Sequence, residues 1–138
     1  MRDSLLLAAA GFTLLATVAC SAVSPQSPTL DLDFELRAGA SARVEGTDIV
    51  IRFEGVPTDS RCPVDVQCIT AGDATVALRV TGGGADASTH ELHVSGDPRD
   101  ARHGAYTASL VSLAPRPVST RPTPAADYVA TVRVSRAE

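Results

Sequence analysis

Leu30-Asp31-Leu32-Asp33-Phe34-Glu35-Leu36-Arg37 alternates apolar and charged side chains without interruption. A period of two puts every second side chain on the same side, so Leu30–Arg37 is predicted to be a strand with one buried face. The pattern then returns along the chain. A short piece spans Ala42–Val44, and Ile49, Ile51 and Phe53 alternate with Val50, Arg52 and Glu54. Ala74, Val76, Leu78 and Val80 alternate with Asp73, Thr75, Ala77 and Arg79, and Leu92 and Val94 mark a strand across Thr89–Ser95. Tyr106, Ala108 and Leu110 share a face within Ala105–Leu113, as do Tyr128, Ala130, Val132 and Val134 within Asp127–Ser135. Leu113 breaks the phase of its segment, and a β-bulge near Leu110 accommodates the slip.

Turn residues separate these segments. Gly55-Val56-Pro57 ends one strand, Gly82-Gly83-Gly84 ends another in a flexible loop, and Gly96-Asp97-Pro98 opens a polar stretch that runs to Gly104. Ala114–Ala125 carries Pro115, Pro117, Pro122 and Pro124 and reads as an extended loop, because proline cannot donate to a ladder. No window keeps helical period with capping signals. About seven short strands with Gly/Pro turns predict an all-β fold, an antiparallel β-sandwich of immunoglobulin-like kind, with a small β-barrel as the alternative.

The first thirty residues follow another pattern. Met1-Arg2-Asp3 is charged, and no charged side chain occurs from Ser4 to Leu30. The apolar run Leu5–Ala19 is the core of an export signal. Ala16-Thr17-Val18-Ala19-Cys20 resembles the lipobox of bacterial lipoproteins, with Thr17 where leucine is commonest. The resemblance implies acylation of Cys20 as the mature N-terminus, residues 1–19 as signal peptide and 20–29 as the lipidated cysteine and a Pro/Ser tether. Residues 30–138 are then a single β-sandwich domain. Ser21 follows the cysteine, which in a diderm cell implies sorting to the outer membrane, facing the periplasm or the surface. Two other readings compete: an ordinary cleaved signal with a free cysteine, and an N-terminal membrane span, against which the Ser24-Pro25-Gln26-Ser27-Pro28 run counts.

Charge narrows the partners. Net charge is -4, the 12 basic residues are all arginine, and aromatics are 4% of the chain without tryptophan. This composition argues against nucleic acid and against base- or sugar-stacking platforms. The partners expected are the membrane, through lipid on Cys20, and an envelope protein; the sequence leaves the oligomeric state open.

Cys62-Pro63-Val64-Asp65-Val66-Gln67-Cys68 holds the other two cysteines. In an exported chain the pair is expected to oxidise to a disulfide. A zinc site would need further ligands, and a redox site a CxxC spacing. Asp59-Ser60-Arg61-Cys62-Pro63, with Val66, Cys68, Ala71-Gly72, Ala74 and Val76 after it, resembles a group of small bacterial lipoproteins carrying DSRCP, V-x-C and A-G in that order. The resemblance implies an exported lipoprotein with a β-rich fold and implies no activity. Asp59, Ser60, Arg61, Pro63, Asp65 and Gln67 are the candidate recognition residues, with the proline loop Pro115–Pro124 as a second candidate surface. A self-satisfied loop shielding a sheet edge is the competing reading.

Other constellations carry less. His90 and His93 point to opposite faces of a strand and so do not make an HExxH site; a surface histidine pair is expected, with His103 in a distant loop. Asp31, Asp33 and Glu35 read as a solvated face. No G-x-S-x-G elbow or phosphate loop is present, so neither a catalytic residue, a metal site nor a cofactor is assigned. The expected function is a non-catalytic binding or structural role in the envelope. Inhibition of a secreted hydrolase through the disulfide loop is the alternative, and a small enzyme comes third.

Overall fold

The structure is a computed structural model that describes residues 27–138. The signal segment, Cys20 and the first part of the tether lie outside the described residues. Eight strands form: β1 (Asp33–Arg37), β2 (Ser41–Arg43), β3 (Val50–Asp59), β4 (Ala74–Gly82), β5 (Ala85–His93), β6 (Asp100–His103), β7 (Tyr106–Ala114) and β8 (Val129–Arg136), with a 3₁₀ turn at Ala125–Asp127. They build two four-stranded antiparallel sheets, β1-β8-β7-β6 and β2-β3-β4-β5. The sheets face each other as a sandwich and do not close into a barrel.

The core lies between the sheets and is built by the alternation. Ile51 and Phe53 from β3, Val76, Leu78 and Val80 from β4, Leu110 from β7, and Ala130, Val132 and Val134 from β8 are buried, with Val44 and Ile49 from the β2–β3 turn. Each strand offers every second side chain to this layer, and their removal from water is the main stabilising term. Tyr128 is also buried, just before β8. The bulge expected in the seventh segment occurs between Leu110 and Ser112; Val111 turns outward and Leu113 returns to the core.

Several details differ from the sequence reading, among them the fifth strand, which runs Ala85–His93 rather than Thr89–Ser95. The first strand starts at Asp33 rather than Leu30, because Asp31 has φ 64° and the turn it makes leaves Leu32 61% exposed. β3 continues through Gly55 and Pro57 to Asp59 by means of two register irregularities, which absorb the residues that cannot keep the ladder. Gly83 and Gly84, expected in a flexible loop, instead form a tight turn between paired Gly82 and Ala85, with φ of 68° and 77°. β6 arises inside the polar stretch and brings the number of strands to eight.

Connectivity is simpler than in an immunoglobulin sandwich, which interleaves strands from different parts of the chain. Here β2-β3-β4-β5 is one meander and β6-β7-β8 another, with β1 added beside β8. Pro28 is buried and its carbonyl accepts from the Glu45 amide at 2.7 Å, so packing of the domain begins just before Leu30.

Candidate recognition site

The long β3 and its partner β4 carry the cysteine loop, Ser60–Asp73, at one end of the sandwich. Backbone pairing continues past the strands: Ser60 N donates to Asp73 O at 2.7 Å and Cys62 N to Ala71 O at 2.8 Å. The Ser60 hydroxyl donates to the Asp73 carbonyl at 3.0 Å and accepts the Asp73 amide at 3.2 Å. Gly72 closes this neck with φ 67°, and a Cβ there would collide with the Ser60 carbonyl. Beyond the neck, Cys62 and Cys68 are joined in a disulfide with Cα atoms 5.9 Å apart. The cysteine pairing expected from sequence is therefore present.

Asp59 and Arg61 face inward. The Arg61 guanidinium forks onto the Asp59 carboxylate, Nε to Oδ1 at 2.8 Å and Nη2 to Oδ2 at 2.6 Å. It also donates to Leu113 O at 2.7 Å and Pro115 O at 2.9 Å. Tyr128 donates its hydroxyl to Asp59 Oδ2 at 3.0 Å. Both charged side chains are about 10% exposed. Burial alone would raise the Asp59 carboxyl, but the bonds from the Arg61 side chain and amide and from Tyr128 outweigh it, leaving the group below its ordinary 3.8. The Tyr128 hydroxyl moves up, first through burial and then through the carboxylate it serves.

Asp65 makes a second brace, to the proline loop. It accepts from Ser119 N at 2.8 Å and Ser119 Oγ at 2.6 Å, and these two bonds lower its carboxyl. Val64 N donates to Pro117 O at 3.0 Å. Pro63 is half-buried and lines a shallow cleft of about 450 Å³ with Asp59, Tyr128 and residues 117–119 and 121–123. The two loops chosen separately from sequence thus form one continuous surface.

Of the six candidate residues, Asp59, Ser60, Arg61 and Asp65 hold the loop in place, while Gln67 is exposed. Sequence reasoning missed the outward face itself. Val64 is 53% exposed, Val66 46%, and Ile69 fully exposed. A signal was available: three aliphatic side chains in and beside a seven-residue disulfide ring, from Cys62 to Cys68, which is too small to bury them.

A third polar pair lies at the base of the neck. His93 Nδ1 meets Asp73 Oδ2 at 2.6 Å, and Asp73 also accepts from Ser95 N at 2.8 Å. Burial raises the Asp73 carboxyl, but the Ser95 amide, His93 and further backbone amides bring it down to about 2. Among the described residues no nucleophilic side chain is hydrogen-bonded to the His93 imidazole or the Asp73 carboxylate; Ser60 reaches only the Asp73 backbone. Comparison with family models, curated proteins and solved structures gives no match.

Proposed function

We propose that the chain is a bacterial envelope lipoprotein, anchored by acylated Cys20, whose sandwich presents the disulfide loop to a protein partner. The observation that carries the reading is the outward face of the loop. Val64, Val66 and Ile69 stand in solvent on a segment fixed by a disulfide and by the Asp59–Arg61 and Asp65–Ser119 braces. Apolar side chains held rigid at the surface bind with little loss of conformational entropy, which favours a protein partner of complementary shape. The anchor rests on the lipobox resemblance, and the DSRCP resemblance supports the same address. Mass spectrometry of the N-terminal peptide tests it: diacylglyceryl Cys20 is expected, and an unmodified Cys20 or an intact Met1 start defeats it. For the binding face, Val66→Ser with Ile69→Ser is expected to abolish partner recovery with the fold retained, and unchanged recovery refutes it.

The same geometry favours a second reading, inhibition of a secreted or envelope hydrolase. A loop closed by a disulfide enters an active-site cleft without changing shape, and Ile69 beside Cys68 is fully exposed. Titration against envelope proteases and lysozymes separates the two readings. Stoichiometric inhibition lost on reduction supports the inhibitor, and its absence at saturating protein removes it.

A further inference from the structure

At the end of the sandwich where β5 faces β6, the inward face of β5 changes character. Leu92 continues the core, but Ser88 and His90 replace aliphatic residues on the same face. From the opposite sheet β6 supplies His103, which is 4% exposed rather than lying in a distant surface loop. The two imidazoles meet edge-on at 83°, with His90 Nε2 and His103 Nδ1 3.5 Å apart. Ser88 Oγ lies 2.9 Å from the first nitrogen and 3.0 Å from the second.

We propose that His90, His103 and Ser88 form a site for one divalent late transition-metal ion, of the Zn²⁺ or Cu²⁺ class, that clips the two sheets together. The spacing carries the argument. A tetrahedral ion with bonds of about 2.05 Å sets its ligand atoms about 3.3 Å apart, close to the separation of the two nitrogens. The Ser88 oxygen completes a triangle of donors on one side, and water supplies the remaining position. Imidazole pairs select zinc and copper over magnesium and calcium, which require oxygen. Among the described residues no cluster of three or more His, Cys, Asp or Glu side chains has metal-holding geometry, so this site depends on a hydroxyl as third donor.

Ser88 Oγ bridges the two ring nitrogens by hydrogen bonds, and a bound ion would take the place of those bonds. His103 Nε2, the ring nitrogen that does not meet Ser88, is buried without a partner. Neutral imidazole is the form a metal needs.

The test uses the full chain in detergent, stripped with a chelator, with ZnCl₂ and CuSO₄ in separate arms. One ion per chain is expected, with the thermal midpoint raised by about 10 °C when free metal exceeds its dissociation constant about a hundredfold. His90→Gln, on a half-exposed ring, is expected to remove the shift, whereas His93→Gln on the opposite face retains it. The copper spectrum should show two imidazole nitrogens in the wild type and one in His90→Gln. His103→Gln should behave like His90→Gln, and if it does not fold, His90→Gln and the spectrum decide alone. No shift with either ion, a shift surviving His90→Gln, or one lost only in His93→Gln overturns the proposal.

Discussion

Arg61 ties the end of β3 to a segment 52–54 positions further along the chain. One guanidinium binds the Asp59 carboxylate at the end of β3, the Leu113 carbonyl near the end of β7 and the carbonyl of Pro115, the first residue of the proline loop. Removing it leaves Asp59 nearly buried with Tyr128 as its remaining side-chain partner, and strips two carbonyls of a donor. Arg61→Met is therefore expected to cost about 3–5 kcal/mol in urea unfolding. The double variant with Asp59→Asn should lose clearly less than Arg61→Met, since no buried charge is stranded; an equal or larger loss contradicts this account of the pair. Acid should reveal the same carboxylates. Asp59 and Asp73 titrate below their ordinary 3.8 when folded, Asp73 at about 2. Their stabilisation is complete above the unfolded value and disappears as pH falls through the folded one. The thermal midpoint should hold from neutrality to about pH 4 and decline toward about pH 2. Asp73→Asn should flatten part of that decline, and an unchanged acid limb counts against the bonds assigned to Asp73.

The loop between β3 and β4 depends on two local devices. The disulfide closes a small ring, and replacing Cys62 and Cys68 with serine is expected to remove about 2.4 kcal/mol. Gly72 supplies the left-handed backbone at the neck in contact with Ser60. Gly72→Ala should destabilise by clearly more than Gly84→Ala: both carry a left-handed penalty of about 1–2 kcal/mol, but only Gly72 lacks room for a methyl group. Equal losses in denaturant titrations would contradict the tight neck. At this scale the strands with a clean two-residue period were readable, since β4 and β8 each bury one face and leave the other partly exposed. β6 was not readable. Asp100-Ala101-Arg102-His103 has no aliphatic alternation, and its buried residue is a histidine whose setting depends on β5 from the other sheet. The start of β1 was hidden for a different reason: Asp31 adopts a turn conformation that the regular alternation of its neighbours does not record.

For the whole molecule, the sandwich followed from strand count and turn chemistry, whereas the order of strands did not. A meander and an interleaved arrangement share the same alternation along the sequence, and only pairing across the sheets separates them. The candidate site was half legible. Two cysteines and DSRCP located the loop. Its brace by Ser119 spans 54 positions and has no local signature. The exposure of Val64, Val66 and Ile69 follows from that brace, because the loop is held out from the sandwich instead of folding its aliphatic side chains back.

The central claim is that this loop face meets a partner protein in the envelope. Photo-crosslinking from a reactive residue placed at position 66 or 69 of the anchored full chain, inside living cells, tests it most directly. Both positions should give one discrete adduct of the same size, lost when the disulfide is removed and competed by excess wild-type chain. A reactive residue at Glu91, on the exposed face of β5, should not form it. No adduct from the loop, or the same adduct from Glu91, would contradict the account.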